Sequence, residues 1–189
     1  MKNLCVLALS LALSGCYINT TGYETLSKEE RQHILECGQS IGQLADDGNT
    51  YQINAQQLED YLKQIDHAVV YNYIGFCRSE HCVAPRLAME ACRKKGCRLV
   101  VVANVYDRLS TTRGLAAPSL VINHRFYKTN NYQVLSRRFY DELTNTTEKE
   151  RGYNPYLLFE RGRYVKSYES IYDLPYLHLA TSAHTSDAR

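Results

Sequence analysis

Two apolar, β-branched runs constrain this chain more than any other feature: Ala68-Val-Val-Tyr-Asn-Tyr-Ile74 and Leu99-Val-Val-Val-Ala-Asn-Val105. The first suits a buried strand and is broken by Gly75-Phe76-Cys77. The second is apolar on both faces, as strands are in the middle of a sheet covered by helices on each side. Between them Val83, Leu87 and Ala91 recur at helical spacing as an inner face, and Gly96 after Arg93-Lys94-Lys95 stops that helix. Strand, helix and strand over residues 68–105 make a βαβ unit, right-handed by the general rule, so an α/β domain is expected.

The flanks add helices upstream and a hairpin downstream. Ser27-Lys28-Glu29-Glu30 is a capping-box pattern, and Ile34, Cys37, Ile41 and Leu44 follow at helical spacing up to Asp47-Gly48, which reads as one amphipathic helix. A second helix is expected after Asn54, with Leu58, Tyr61, Leu62 and Ile65 on one side. Ala117-Pro118-Ser119 introduces a short strand, Leu120 to Ile122. Val134, Leu135, Phe139 and Leu143 mark a helix over residues 132–143, and a polar patch runs from Thr144 to Arg151. Pro155 to Phe159 and Arg163 to Tyr168 read as two strands joined by the turn Glu160-Arg161-Gly162.

The compartment is written in the first 16 residues. A charged start, an apolar run from Leu4 to Leu13 and then Ser14-Gly15-Cys16 form a secretory signal whose core is too short to span a bilayer. Leu13-Ser14-Gly15-Cys16 resembles the lipobox of bacterial lipoproteins, whose cysteine is acylated and becomes the new N-terminus. The resemblance implies that residues 1–15 are removed and that Cys16 carries lipid. Residues 16–26 then act as a tether, and the protein is anchored to a membrane of the cell envelope, on its periplasmic side. Acyl chains supply about 0.8 kcal/mol of membrane affinity per buried CH2. Residues 27–179 are expected as one domain, and the small polar residues 180–189 as a disordered tail. With 44% hydrophobic residues the chain of 189 can bury one medium core. Its 22 Lys and Arg against 20 Asp and Glu leave no basic surface that would make nucleic acid a partner.

Strand, cysteine-containing turn, helix, strand, insertion, proline-led strand, turn, strand is an order that resembles the thioredoxin-like fold. It resembles in particular the membrane-tethered thioredoxins of bacterial envelopes. Val69 to Cys77 looks like the strand leading to the family's first cysteine, and Pro85 falls where its helix has a kinking proline. Arg151-Gly-Tyr-Asn-Pro155-Tyr-Leu-Leu-Phe-Glu-Arg-Gly162 looks like the stretch with the family's cis-proline and last hairpin. The likeness covers residues 68–170. It implies a three-layer sandwich with a mixed central sheet, an N-terminal helical extension before the core and an insertion before the final hairpin. It further implies a thiol–disulfide oxidoreductase without cofactor, with Cys77 as attacking thiolate, Cys82 as resolving thiol and Pro155 shaping the groove for the thiols or disulfides of other envelope proteins. Pro118, 41 residues after Cys77, is the rival cis position.

The residues supply physical reasons of their own. A cysteine at a helix start meets unpaired N–H groups and the positive end of the macrodipole, which stabilise its thiolate. The chain departs from the family in placing four residues between its cysteines, Arg78-Ser79-Glu80-His81, so Cys82 is expected more than a turn inside the helix and can bond Cys77 only if that turn unwinds. Atypical two-cysteine peroxiredoxins do this, but the Pro and Thr they place before the reactive cysteine are absent from Tyr71 to Phe76. Cys92 and Cys97 flank the Gly96 turn, and a structural disulfide is expected between them. Cys37 reads as a small core residue, and His33, His67, His124, His178 and His184 as ordinary surface or core histidines.

Two other readings stand beside the oxidoreductase. In one the domain is a non-catalytic lipoprotein module, its cysteines locked in bridges and its surface binding another envelope protein. In the other the cluster Cys77, His81, Cys82, Cys92 and Cys97 reduces peroxide or handles zinc or copper. No Ser-His-Asp signature, phosphate-binding glycine loop or HExxH motif is present.

Overall fold

The computed structural model describes residues 19–79 and 82–177; the lipobox with Cys16, the residues Glu80 and His81, and the tail from His178 lie outside them. The protein is an α/β domain built on one mixed sheet of seven strands. In chain order these are β1 (Ile34–Glu36), β2 (Thr50–Ile53), β3 (His67–Tyr73), β4 (Arg98–Ala103), β5 (Ser119–Ile122), β6 (Tyr156–Glu160) and β7 (Arg163–Tyr168). Across the sheet they run β1-β2-β5-β4-β3-β6-β7. The first five are mutually parallel, and β6 and β7 close the sheet antiparallel.

The α-helices are α1 (Lys28–Gln32), α2 (Ala55–Leu62), α3 (Pro85–Lys94), α4 (Tyr132–Thr144) and α5 (Glu148–Arg151). The period of two along each strand sorts the core into two halves. Val70, Val100, Val102, Leu120, Ile122, Leu157 and Phe159 face α2 and α4, through Leu58, Leu62, Leu135, Phe139 and Leu143. Val69, Tyr71, Leu99, Val101, Val121 and Leu158 face α3, through Ala88, Ala91 and Cys92. Three layers result, and β3 and β4 are buried on both faces as their apolar runs require. Capping boxes at Asn54–Gln57 and Thr147–Glu150 open α2 and α5.

Three sequence expectations are corrected. The expected helix from Ser27 to Asp47 stops after one turn at Gln32; its capping box at Ser27 forms, but the chain then enters β1, and Ile41–Gln43 is a single 3-10 turn. Gly38 and Gly42 weaken helix propagation through that stretch, and parallel pairing of Ile34 with Thr50 wins. The region before β3 is therefore part of the sheet and not a helical extension. Leu87 is 52% exposed, while Pro85, Ala88, Ala91 and Cys92 form the inner face of α3. Finally, residues 19–26 are docked and are not tether. Thr21 is buried, its N–H donates to Asn130 O at 2.7 Å and its carbonyl accepts from Tyr106 N–H at 2.7 Å.

Candidate functional site

The site sits at the carboxyl end of β3, where the chain turns at Ile74-Gly75 into an open loop that reaches α3 only at Pro85. A Cβ on Gly75 would lie 2.6 Å from Asp107 O, so only glycine lets this turn press against the loop after β4. Cys77 N–H then closes a turn on Ile74 O at 3.0 Å, and Cys82 N–H closes another on Ser79 O at 3.0 Å. These two turns bring the cysteines together: Cys77 and Cys82 are disulfide-bonded, with Cα atoms 6.0 Å apart. Ser79 Oγ lies 3.5 Å from Cys77 Sγ and 3.4 Å from Cys82 Sγ. Neither bonded sulfur carries hydrogen, so the hydroxyl is the donor, and its single hydrogen can be directed at either sulfur.

The position of the helix differs from expectation. Pro85 is the first residue of α3 and no kink within it, and Ala84 before it is held extended at φ −56°, ψ 136°. A residue preceding proline is disfavoured in the α region, so helix cannot start earlier. Cys82 therefore stays on the loop and no turn has to unwind for the bond. The same fact puts Cys77 eight residues ahead of the helix, beyond the reach of its macrodipole, which acts within the first turn.

Two buried tyrosines fix the loop from below. Tyr71 and Tyr156 stack with centroids 4.6 Å apart and planes at 28°, and Tyr71 Oη donates to Val83 O, next to Cys82, at 2.9 Å. Burial pushes the Tyr71 hydroxyl far above the usual phenolic range, so it stays a donor. Pro155 immediately precedes β6 and its carbonyl accepts from Asn72 N–H at 2.8 Å, which sets β6 against the end of β3. No peptide bond among the described residues is cis, so the expected cis bond is absent at Pro155 and at its rival Pro118; a trans Pro155 suffices to extend the β3–β6 ladder by one bond. Under the other face, Asn104, 1% exposed, donates through Nδ2 to Asn72 Oδ1 and to Ser136 Oγ at 3.1 Å, tying β3 and β4 to α4.

The remaining sequence candidates lie elsewhere. Cys92 and Cys97 are buried free thiols, and the disulfide expected between them is not formed. Their packing is satisfied otherwise: Cys97 N–H and Sγ both donate to Cys92 O, at 3.1 and 3.3 Å, closing the end of α3. The hydrogen bond to Cys97, and then burial, hold the Cys92 thiol protonated. Cys37 is buried, not on a helix but just after β1, and its Sγ donates to Gln39 O at 3.1 Å. His124 is buried beside Tyr106, and His33 hydrogen-bonds Asn49 at 3.2 Å. His81 lies outside the described residues, among which no three His, Cys, Asp or Glu side chains converge as a metal set. No motif in the sequence points to Tyr71, Tyr156, Asn72, Asn104 or Ser136. An asparagine near the end of each of two otherwise apolar strands was the available signal.

Compared with known proteins, the chain matches no family model, no curated protein and no solved structure.

Proposed function

We propose that this protein is a thiol–disulfide oxidoreductase of the bacterial cell envelope, anchored by lipid on Cys16 and built on a thioredoxin-like core of residues 68–170. One observation carries the reading: the Cys77–Cys82 bond lies on an exposed loop at the carboxyl end of a central parallel strand, the end at which open α/β sheets hold their reactive groups. The arrangement β4-β3-β6-β7 around that loop, with α3 joining β3 to β4 and Pro155 leading β6, supports the thioredoxin-like part. No helix of the described residues is long and apolar enough to cross a membrane.

In the reducing direction the Cys77 thiolate attacks one sulfur of a substrate disulfide, and the other leaves as a thiolate. Cys82 then attacks Cys77 Sγ, expels the second substrate thiol and closes the Cys77–Cys82 bond, so two electrons pass to the substrate. A dithiol protein of the envelope restores the pair by the same steps. Run backwards, the bonded form oxidises a substrate dithiol.

The test is trapping. With a peptide disulfide, Cys82→Ser should accumulate a mixed disulfide on Cys77, and Cys77→Ser should show no turnover with its fold retained. In cells, Cys16→Ala should abolish incorporation of labelled palmitate. The non-catalytic module is favoured by the distance of Cys77 from the helix start. A bond that resists millimolar dithiol in the folded protein would decide for that reading.

A further inference from the structure

A slot cuts into the sheet at the end opposite the cysteines, and the strands themselves create it. β4 pairs with β3 along its whole length but with β5 only at Val102 and Ala103, so β4 and β5 diverge toward the amino-terminal end of β4. β5 cannot extend to close the gap, because Pro118 has no N–H and Ala116 turns the chain away at φ 56°. The cleft between them measures about 830 Å³. It interrupts the sheet instead of lying on one face, so its walls come from both layers: Leu99, Val101 and Met89 on the α3 side, and Ile65, Val100 and Leu120 on the α2 side.

Polar groups in need of partners face this slot. Asn104 N–H donates to Tyr73 O on β3, so by alternation the peptide groups of Leu99 and Val101 point the other way, toward β5. The β4–β5 ladder stops at Val102, and no described backbone group bonds the Leu99 peptide on that side. His67 Nδ1, in the same wall, is buried with no hydrogen-bond partner among the described residues. At the rim Arg93 and Arg98 are exposed, and neither makes an ion pair among the described residues. Asp66, the one carboxylate in the lining, is already held by Arg161 Nε at 2.9 Å. Apolar walls on both faces, open backbone groups in the plane between them and unpaired positive charge at the mouth suit an extended peptide. Its main chain would continue the ladder, its alternate side chains would enter the two layers, and a carboxylate would reach the arginines.

We propose that the slot beside the amino-terminal half of β4 binds an extended, acidic segment of a partner protein as an added strand. The probe is a fluorescein-labelled peptide of alternating valine and threonine with paired glutamates at both ends, so that either strand direction brings a carboxylate to Arg93 and Arg98. Added to the whole protein, it should slow hydrogen exchange of the Leu99 and Val101 amides by about tenfold or more. In an anisotropy titration its lysine-ended counterpart should bind about tenfold more weakly. Arg93→Glu combined with Arg98→Glu, both on the surface, should reverse that preference. A peptide with proline in place of its central threonines should protect neither amide, since proline cannot donate to a ladder. Equal affinity for acidic and basic peptides, protection of neither amide by the probe, or undiminished protection by the proline peptide would overturn the added strand. So would amides already protected in the free protein: protection independent of concentration means that the chain fills its own slot, and protection lost on dilution means that a second copy does.

Discussion

Reducing the Cys77–Cys82 bond should cost the fold about 2 kcal/mol. The bond spans a sequence separation of 5 and so closes a loop of six residues. In the chain-entropy account such a closure removes about 7 cal/mol/K from the unfolded ensemble, or about 2 kcal/mol at 25 °C. The full amount is visible only if the native loop keeps its shape once the bond is opened. The structure gives reasons that it does: the turns at Ile74 and Ser79 close through backbone bonds of 3.0 Å, Gly75 is wedged against Asp107, and Tyr71 holds Val83. Cys37, Cys92 and Cys97 are free, so oxidised and reduced protein differ in this one bond among the described residues. Urea unfolding of both forms, in the absence and presence of a phosphine reductant, gives the difference directly, and the thermal midpoint should fall by about 4–8 °C. A difference below about 0.5 kcal/mol would mean that the loop relaxes on reduction and the pinning contacts are not holding it. A difference above about 4 kcal/mol would make the bond a staple of the whole fold, against an exchange role.

Two further outcomes test neighbouring interactions. Ser79→Ala removes the one hydroxyl within reach of both sulfurs, and iodoacetamide should label Cys77 in the reduced protein several-fold more slowly at neutral pH; an unchanged rate refutes the contact as a thiolate donor. Burial, with Arg125 beside it, holds the His124 imidazole below its usual range. The unfolded chain therefore binds this proton first, and stability is lost as pH falls through about 6.5 until the folded value is reached. Thermal melts between pH 7.5 and 5 should show this slope in the native protein and a shallower one in His124→Gln; parallel curves would count against it.

What was legible in the sequence is what local pattern determines. The runs ending at Ile74 and Val105, the hairpin around Arg161-Gly162, the helix after Asn54 and the helix from Tyr132 were expected and are present, because each carries its own periodicity and its own stop. β2 has no periodicity of its own in the sequence, and β1 lies in a stretch whose spacing predicts a helix. Each is three or four residues long, and both exist only because distant strands pair with them, Ile34 with Thr50 and Thr50 with Ser119. Ile34, Cys37, Ile41 and Leu44 kept a helical spacing by coincidence while coming from separate elements. The inner face of α3 differs from the one its spacing predicts for a related reason. Leucine looked like the core residue, yet the helix lies close on the sheet through Ala88, Ala91 and Cys92, and Leu87 points away.

The cysteine pair was legible as a pair, and its geometry was not, because one proline governs it. Reading a helix from Cys77 puts Cys82 on the wrong side and makes the bond depend on unwinding. With the helix forced to start at Pro85, the two sulfurs meet on a loop that two one-bond turns shape. That rearrangement also moves the burden of thiolate stabilisation. A macrodipole contributes about 0.3–1 kcal/mol and acts only near the first turn, so it no longer serves Cys77. The Ser79 hydroxyl, in reach of both sulfurs, is the donor the loop provides in its place, and a charge-assisted hydrogen bond is worth about 1.5–3 kcal/mol before solvent exposure reduces it. A four-residue spacing is thus compatible with a reactive thiol on this scaffold, provided that the loop, and not the helix, carries the chemistry.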